Sequence, residues 1–294
     1  MRSGSLRWRE VGWDGLAFRV PASWQPCTIT PHYLVFADMG RPVLEVKWQQ
    51  VRGGFSARDA LHSIRSALPK EARLAEWKLP PELKHSLAGF ETAGFRLEPP
   101  ETGGHGVVLF CSACGRATIL RWYNHNDADN SGLIEAILAS FCDHPSDRET
   151  LWSLFDFRAS LPESARLRSH VFQPGRFELR FELEGATITL YRFKPASVLL
   201  RDRPLADFGR EIFSSALALG PIREEQHRAR WQTTATGAQK ILARIRRRPS
   251  WHWLEIRHDP AGNAILGVRV DARKAMDPAL PERICASCKS LGME

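Results

Sequence analysis

A chain of 294 residues with 43% hydrophobic and 25% charged residues has a globular composition and length enough for two domains, each with its own core. Nowhere do about 18 apolar residues run together, which excludes a membrane-spanning helix. The net charge of +8 is lopsided: residues 1–150 carry 17 Lys/Arg and 17 Asp/Glu, so the whole excess lies in the remainder. The first ten residues are polar and basic, which predicts no signal peptide and a cytoplasmic protein. In that setting six cysteines are reduced thiols or metal ligands rather than a disulfide framework.

Leu16, Phe18 and Val20 alternate with Ala17 and Arg19, the pattern of a half-buried strand, which Pro21 ends. Leu34-Val35-Phe36, a turn at Asp38-Met39-Gly40, and Leu44, Val46 and Trp48 alternating with Glu45 and Lys47 predict a hairpin. Ser56, with Asp59 three residues on, caps a helix whose apolar stripe is Ala57, Leu61, Ile64 and Leu68. Pro69 stops it, and residues 69–84, rich in proline and charge, read as a surface connection. Strands are expected at about 88–97, 106–112 and 117–122. A polar loop around His125 follows, then a helix over about 132–142 that buries Ile134, Ile137, Leu138 and Phe141.

The order then recurs. Trp152–Ala159 matches Trp13–Val20, and Leu179–Phe181, the turn Glu184-Gly185 and Ile188–Tyr191 repeat the hairpin. A helix is predicted over about 204–219, and strands near 239–247, 251–257 and 264–270. A last helix starts at Asp277-Pro278, an N-cap followed by a residue suited to the first turn. A constant offset of 147 lays Gly115 on Gly262, Ile119 on Leu266 and Ile137 on Ile284. The expected architecture is α+β: two tandem repeats, residues 1–145 and 151–294. Each is β-β-β-α-β-β-β-α, an antiparallel sheet covered by helices in an α/β/α sandwich. The order of elements, the F-x-V-P-x-x-W of Phe18 to Trp24 and the I-L-A-S-F of Ile137 to Phe141 resemble the PsbP-like fold, shared by the Mog-type proteins. The resemblance implies a binding or assembly factor that works without catalysis.

Two stretches carry candidate chemistry. Cys111-Ser112-Ala113-Cys114-Gly115 is a C-x-x-C-G knuckle at a hairpin tip, able to present two thiolates to one metal. The following strand runs away from the tip for roughly 20 Å at about 3.3 Å per residue. The helix to Cys142 returns about 15 Å at 1.5 Å per residue. Cys142 and His144 then complete a Cys3His structural zinc site with Cys111 and Cys114. The alternative is separate free thiols, with Cys111 packed on a strand face. The second C-x-x-C, Cys285 to Cys288, falls by the repeat on Leu138 and Phe141 and reads as a pair of core cysteines.

The other stretch is Arg244-Ile245-Arg246-Arg247-Arg248 followed by Trp251-His252-Trp253. Arginines interleaved with aromatics hold phosphates and stack bases, and Arg223, Arg228, Arg230 and Lys240 would widen the patch. The alternatives are a solvated strand face, with Ile241, Ala243 and Ile245 inward, or a docking surface for an acidic protein. There is no phosphate loop, H-E-x-x-H or G-x-S-x-G, so no enzyme is expected. The reading is a non-enzymatic binding or adaptor protein for another protein, with Trp8, Trp77 or Trp231 as anchors; a nucleic-acid-associated protein is the alternative.

Overall fold

Alternation of apolar and polar residues builds most of the first unit, Met1–Pro145. The computed structural model describes residues 6–52, 54–98, 103–123, 131–144, 148–213, 223–225 and 227–291. The first unit runs β1 (Trp8–Trp13), β2 (Leu16–Pro21), β3 (Gln25–Thr30), β4 (Tyr33–Asp38), β5 (Arg41–Gln50), α1 (Ala57–Ala67), β6 (Arg73–Glu76), α2 (Pro81–Ser86), β7 (Glu91–Glu98), β8 (Gly104–Cys111), β9 (Arg116–Tyr123) and α3 (Ser131–Ala139). Seven of these strands form one antiparallel sheet in the order β3-β4-β5-β9-β8-β7-β6.

Residues directly opposite each other share a face, so Leu34, Val46, Leu120 and Val107 line one side of this sheet. All four are fully buried. Their cover is the β1–β2 hairpin and the end of α3: Phe18 meets Phe36 edge-on at 5.9 Å and Phe141 at 6.1 Å. Burying each such side chain contributes about 1.5–3 kcal/mol. α1 covers the opposite face over Phe95, Leu97 and Val108 with Leu61 and Ile64. Its N-cap is Ser56, whose hydroxyl accepts the Asp59 backbone N–H.

The second unit, Ser146–Glu294, runs β10 (Glu149–Leu154), β11 (Phe157–Pro162), β12 (Arg166–Gln173), β13 (Arg176–Leu183), β14 (Ala186–Phe193), α4 (Ala196–Leu199), α5 (Leu205–Ile212), β15 (Arg223–Glu225), β16 (Arg228–Thr234), α6 (Gly237–Ile245), β17 (Trp251–Asp259), β18 (Ala264–Ala272), α7 (Ala279–Ser287) and β19 (Lys289–Ser290). Its sheet order, β12-β13-β14-β18-β17-β16-β15, is strand for strand that of the first unit. Trp152 of the β10–β11 hairpin packs on Phe181, and α5 lies on the other face against Phe193, Trp231 and Ile256.

Several expectations change. The apolar face is closed by a hairpin together with a helix, so each unit starts with five strands rather than three. The hairpins set the match of the two starts: Leu16 opens β2 and Phe157 opens β11, with Pro21 and Pro162 at their ends. Trp13 therefore falls on Leu154, and the pairing of Trp152 with Trp13 is two residues out. Residues 239–247 are not a strand: Gly237–Ile245 is the helix α6. The helix predicted to 219 is observed to Ile212; residues 214–219 and the loop around His125 lie outside the described residues.

Candidate metal centre and basic surface

β8 delivers Cys111 to the tip of the β8–β9 hairpin. There the Gly115 N–H bonds back to the Cys111 carbonyl at 2.8 Å, with Gly115 at φ +69°, a backbone that glycine adopts without strain. Gln50 Nε2 donates to the Cys114 carbonyl at 2.5 Å. Opposite the tip, the chain leaving α3 pairs with β2. Ala17 and Cys142 exchange both backbone hydrogen bonds at 2.8 Å. The chain bends at Asp143 and His144, just past that single bridge. Cys142 is exposed, and Asp143, only 2% exposed, turns inward.

Four donors converge in that corner. Cys114 Sγ donates to Asp143 Oδ2 at 3.2 Å, Asp143 Oδ1 lies 2.7 Å from His144 Nδ1, and His144 Nδ1 lies 3.7 Å from Cys111 Sγ. The donor atoms of Cys111, Cys114, Asp143 and His144 all lie within 4.8 Å of one another. Burial, and then the hydrogen bond to Asp143, push the Cys114 thiol up to about 12, so it holds its proton and donates it to the carboxylate. Arg116 Nη1 donates to the Asp143 carbonyl at 2.8 Å and fixes the loop.

Of the four expected ligands, Cys111, Cys114 and His144 come together and Cys142 does not. Cys142 faces away and its thiol donates to the His144 carbonyl at 2.8 Å, while Asp143 takes the fourth place. Two sulfurs, an imidazole and a carboxylate are donor types that zinc accepts, and four protein donors leave no open coordination position. Of the other C-x-x-C, Cys288 lies in the core and Cys285 is half-buried. Cys288 is buried, and burial pushes its thiol up to about 12; Cys285 is likewise raised by burial.

The basic stretch is assembled differently from the expected strand. Arg244 lies in the last turn of α6, and Arg246, Arg247 and Arg248 follow it, all exposed. Trp251 and Trp253 are each 1% exposed, on the inward face of β17, so neither can stack a base. Three upstream arginines do not widen the patch. Arg230 pairs with Glu255 and Glu282 at 2.6 Å, Arg228 with Glu255 at 3.3 Å and Arg223 with Glu225 at 2.8 Å. α6 buries none of its residues, and its Ile241, Leu242 and Ile245 stand 63%, 49% and 73% exposed, against the inward placement expected of a strand. Of the anchor tryptophans, Trp231 is buried, Trp77 packs on His105 and Trp122, and Trp8 is exposed.

No family model and no curated protein matches this chain. Among solved structures, it is similar to that of the immunity protein TplEi of T6SS from Pseudomonas aeruginosa, complexed with "L" peptide. The likeness covers 96% of this chain and 98% of that one, at 9% identity and a TM-score of 0.31. A score that low establishes neither a common fold nor a common role. No helix among the described residues is long and apolar enough to cross a membrane.

Proposed function

We propose that the chain is a non-catalytic binding protein that engages another protein through α6, and that the partner offers an apolar socket bordered by carboxylates. The observation that carries this reading is the exposed aliphatic cluster of α6. Eight large hydrophobic side chains are exposed among the described residues, and three of them fall within Ile241 to Ile245. Leaving them in water forgoes about 25 cal/mol for each Å² that a partner would cover. Their surroundings select the partner's charge: no acidic residue occurs between Glu225 and Glu255, while Lys240, Arg244, Arg246, Arg247 and Arg248 do. Such a patch speeds encounter with an acidic protein and disfavours a basic one.

A nucleic acid would use the same arginines for phosphate contacts. With Trp251 and Trp253 buried, however, nothing in that stretch stacks bases, and the aliphatic cluster has no role in phosphate binding. The protein reading uses both halves of the surface. For the fold, the common strand order of the two sheets supports reading the units as copies of one domain, for which we propose the PsbP-like relationship.

A photo-crosslinking residue at position 245, introduced in the native cell, tests the function. The expected product is one covalent adduct with an acidic protein, lost when Ile241 is changed to Asp. Adducts that vanish on nuclease treatment would overturn the reading. So would the same capture from a crosslinker at Met39, which is 99% exposed in the other unit.

A further inference from the structure

We infer that Cys111, Cys114, Asp143 and His144 of the first unit bind one zinc ion as a closed structural site. This rests on the corner geometry alone and stands whether or not α6 binds a partner. Tetrahedral zinc, with Zn–S near 2.3 Å and Zn–N and Zn–O near 2.0–2.2 Å, separates its ligand atoms by about 3.3–3.8 Å. Cys114–Asp143 at 3.2 Å and Cys111–His144 at 3.7 Å already approach those edges. The widest separation, 4.8 Å, needs a contraction of about 1 Å.

Three features hold the donors without the ion. Arg116 Nη1 donates to the Asp143 carbonyl at 2.8 Å, an outer-shell contact that fixes a ligand's backbone. Gln50 fixes the tip through the Cys114 carbonyl. The Ala17–Cys142 pairing fixes the backbone just before Asp143, which is buried beside the sulfurs while Cys142 is exposed. Binding forms two Zn–S bonds, one Zn–N bond and one Zn–O bond, and the two thiol protons leave to solvent. Two thiolates and a carboxylate on a dication leave one negative charge in excess, beside the Arg116 guanidinium that already anchors Asp143. No electron is transferred.

The site ties the β8–β9 tip to the segment after α3, across 28 intervening residues, part of which form β9 and α3. Its role is to hold α3 and the β2 edge over the sheet. Zinc is preferred to calcium or magnesium because both of those take oxygen ligands, and two of the four donors are sulfur.

The test uses the full chain purified without chelator, then stripped and titrated with Co²⁺ as a spectroscopic stand-in and with Zn²⁺ as competitor. The expected result is one ion per chain, with thiolate-to-cobalt charge transfer and the strong d–d absorption of a tetrahedral site, both erased by zinc. Cys114→Ser and Asp143→Asn should weaken binding by more than the roughly 10–100-fold that loss of an outer-shell partner costs. Cys142→Ser should leave it unchanged. Asp143→Cys, which supplies a third sulfur, should strengthen the charge-transfer band, and this keeps the proposal testable should a loss variant fold poorly. The inference is overturned if the wild-type chain shows no sulfur-to-cobalt band. It also falls if Cys142→Ser is as damaging as Cys114→Ser, or if Cys111 and Cys114 are recovered as a disulfide even in excess zinc.

Discussion

At the tip of β8–β9 the first unit gathers Cys111, Cys114, Asp143 and His144. Cys111↔Arg116 closes one tip and Asp259↔Ala264 the other, so the matching positions in the second unit hold Asp259, Gly262, Ser290 and Leu291, one residue on from the sequence offset of 147 at the tip. The backbone around the two corners is the same. Ala17 pairs with Cys142 in one, and Arg158 pairs with Lys289 in the other. What differs is how each corner is closed. In the second unit Ser290 packs so tightly on Gly262 that a Cβ there would lie 2.4 Å from the serine Cβ. Ser290 and Gly262 both donate backbone N–H groups to Asp259, at 3.4 and 3.3 Å. In the first unit the corresponding space is lined by four polar donors. One corner is closed by a serine packed on a glycine, the other by contacts among four side chains of metal-ligating type. That contrast argues that the cysteine set is more than incidental surface chemistry.

Mutations sharpen the contrast. The largest effect is expected at the helix end. Phe141 packs on Phe18 and Phe90, and Phe141→Ala should destabilise the first unit by about 3–5 kcal/mol. The matching residue is Cys288, and Cys288→Ala should cost only about 1 kcal/mol, as both chemical denaturation curves would show. Next comes the ion: zinc at about a hundredfold above its dissociation constant should stabilise the first unit by about 2.7 kcal/mol and leave the second unchanged. Gly262→Ala should then cost about 1–3 kcal/mol, because the methyl group meets Ser290. Gly115→Ala should cost about 1–2 kcal/mol for a different reason, its left-handed backbone. Both costs should be the same with and without chelator, and the melting shift that zinc itself gives to the first unit alone separates the two corners. The smallest effect is on α6. Ile245→Asp should change stability by no more than about 0.5 kcal/mol while abolishing crosslinking to the partner.

Much of the frame was legible from pattern. The Ser56 cap was written in its spacing to Asp59, the β4–β5 turn in Gly40, and the two C-terminal hairpins in their alternation. The failures have physical causes. In residues 237–245, Ile241, Ala243 and Ile245 alternate as in a strand, but Ala238, Ile241, Leu242 and Ile245 equally fit a helical stripe. With no partner burying either face, the local pattern could not decide. The two-residue slip at Trp152 came from the turn. Asp14-Gly15 announces one, whereas Phe155 adopts a left-handed φ of +54° with no sequence warning. Trp251 and Trp253 sit at i and i+2, which places them on a single face. That face is the buried one, and the adjoining arginines, though next in sequence, are exposed. Asp143, between Cys142 and His144, is of a residue type common on surfaces, and nothing in the local sequence marks it as the 2% exposed residue it is.

The contrast between the two corners is tested most directly by amide hydrogen exchange on the zinc-loaded and chelator-stripped chain. The account predicts faster exchange on stripping at Ala17, Gly115 and Cys142, whose N–H groups bond within the first corner. It predicts no change at Gly262, Ser290 and Leu291 in the second. Equal acceleration in both corners, or none in either, would contradict it.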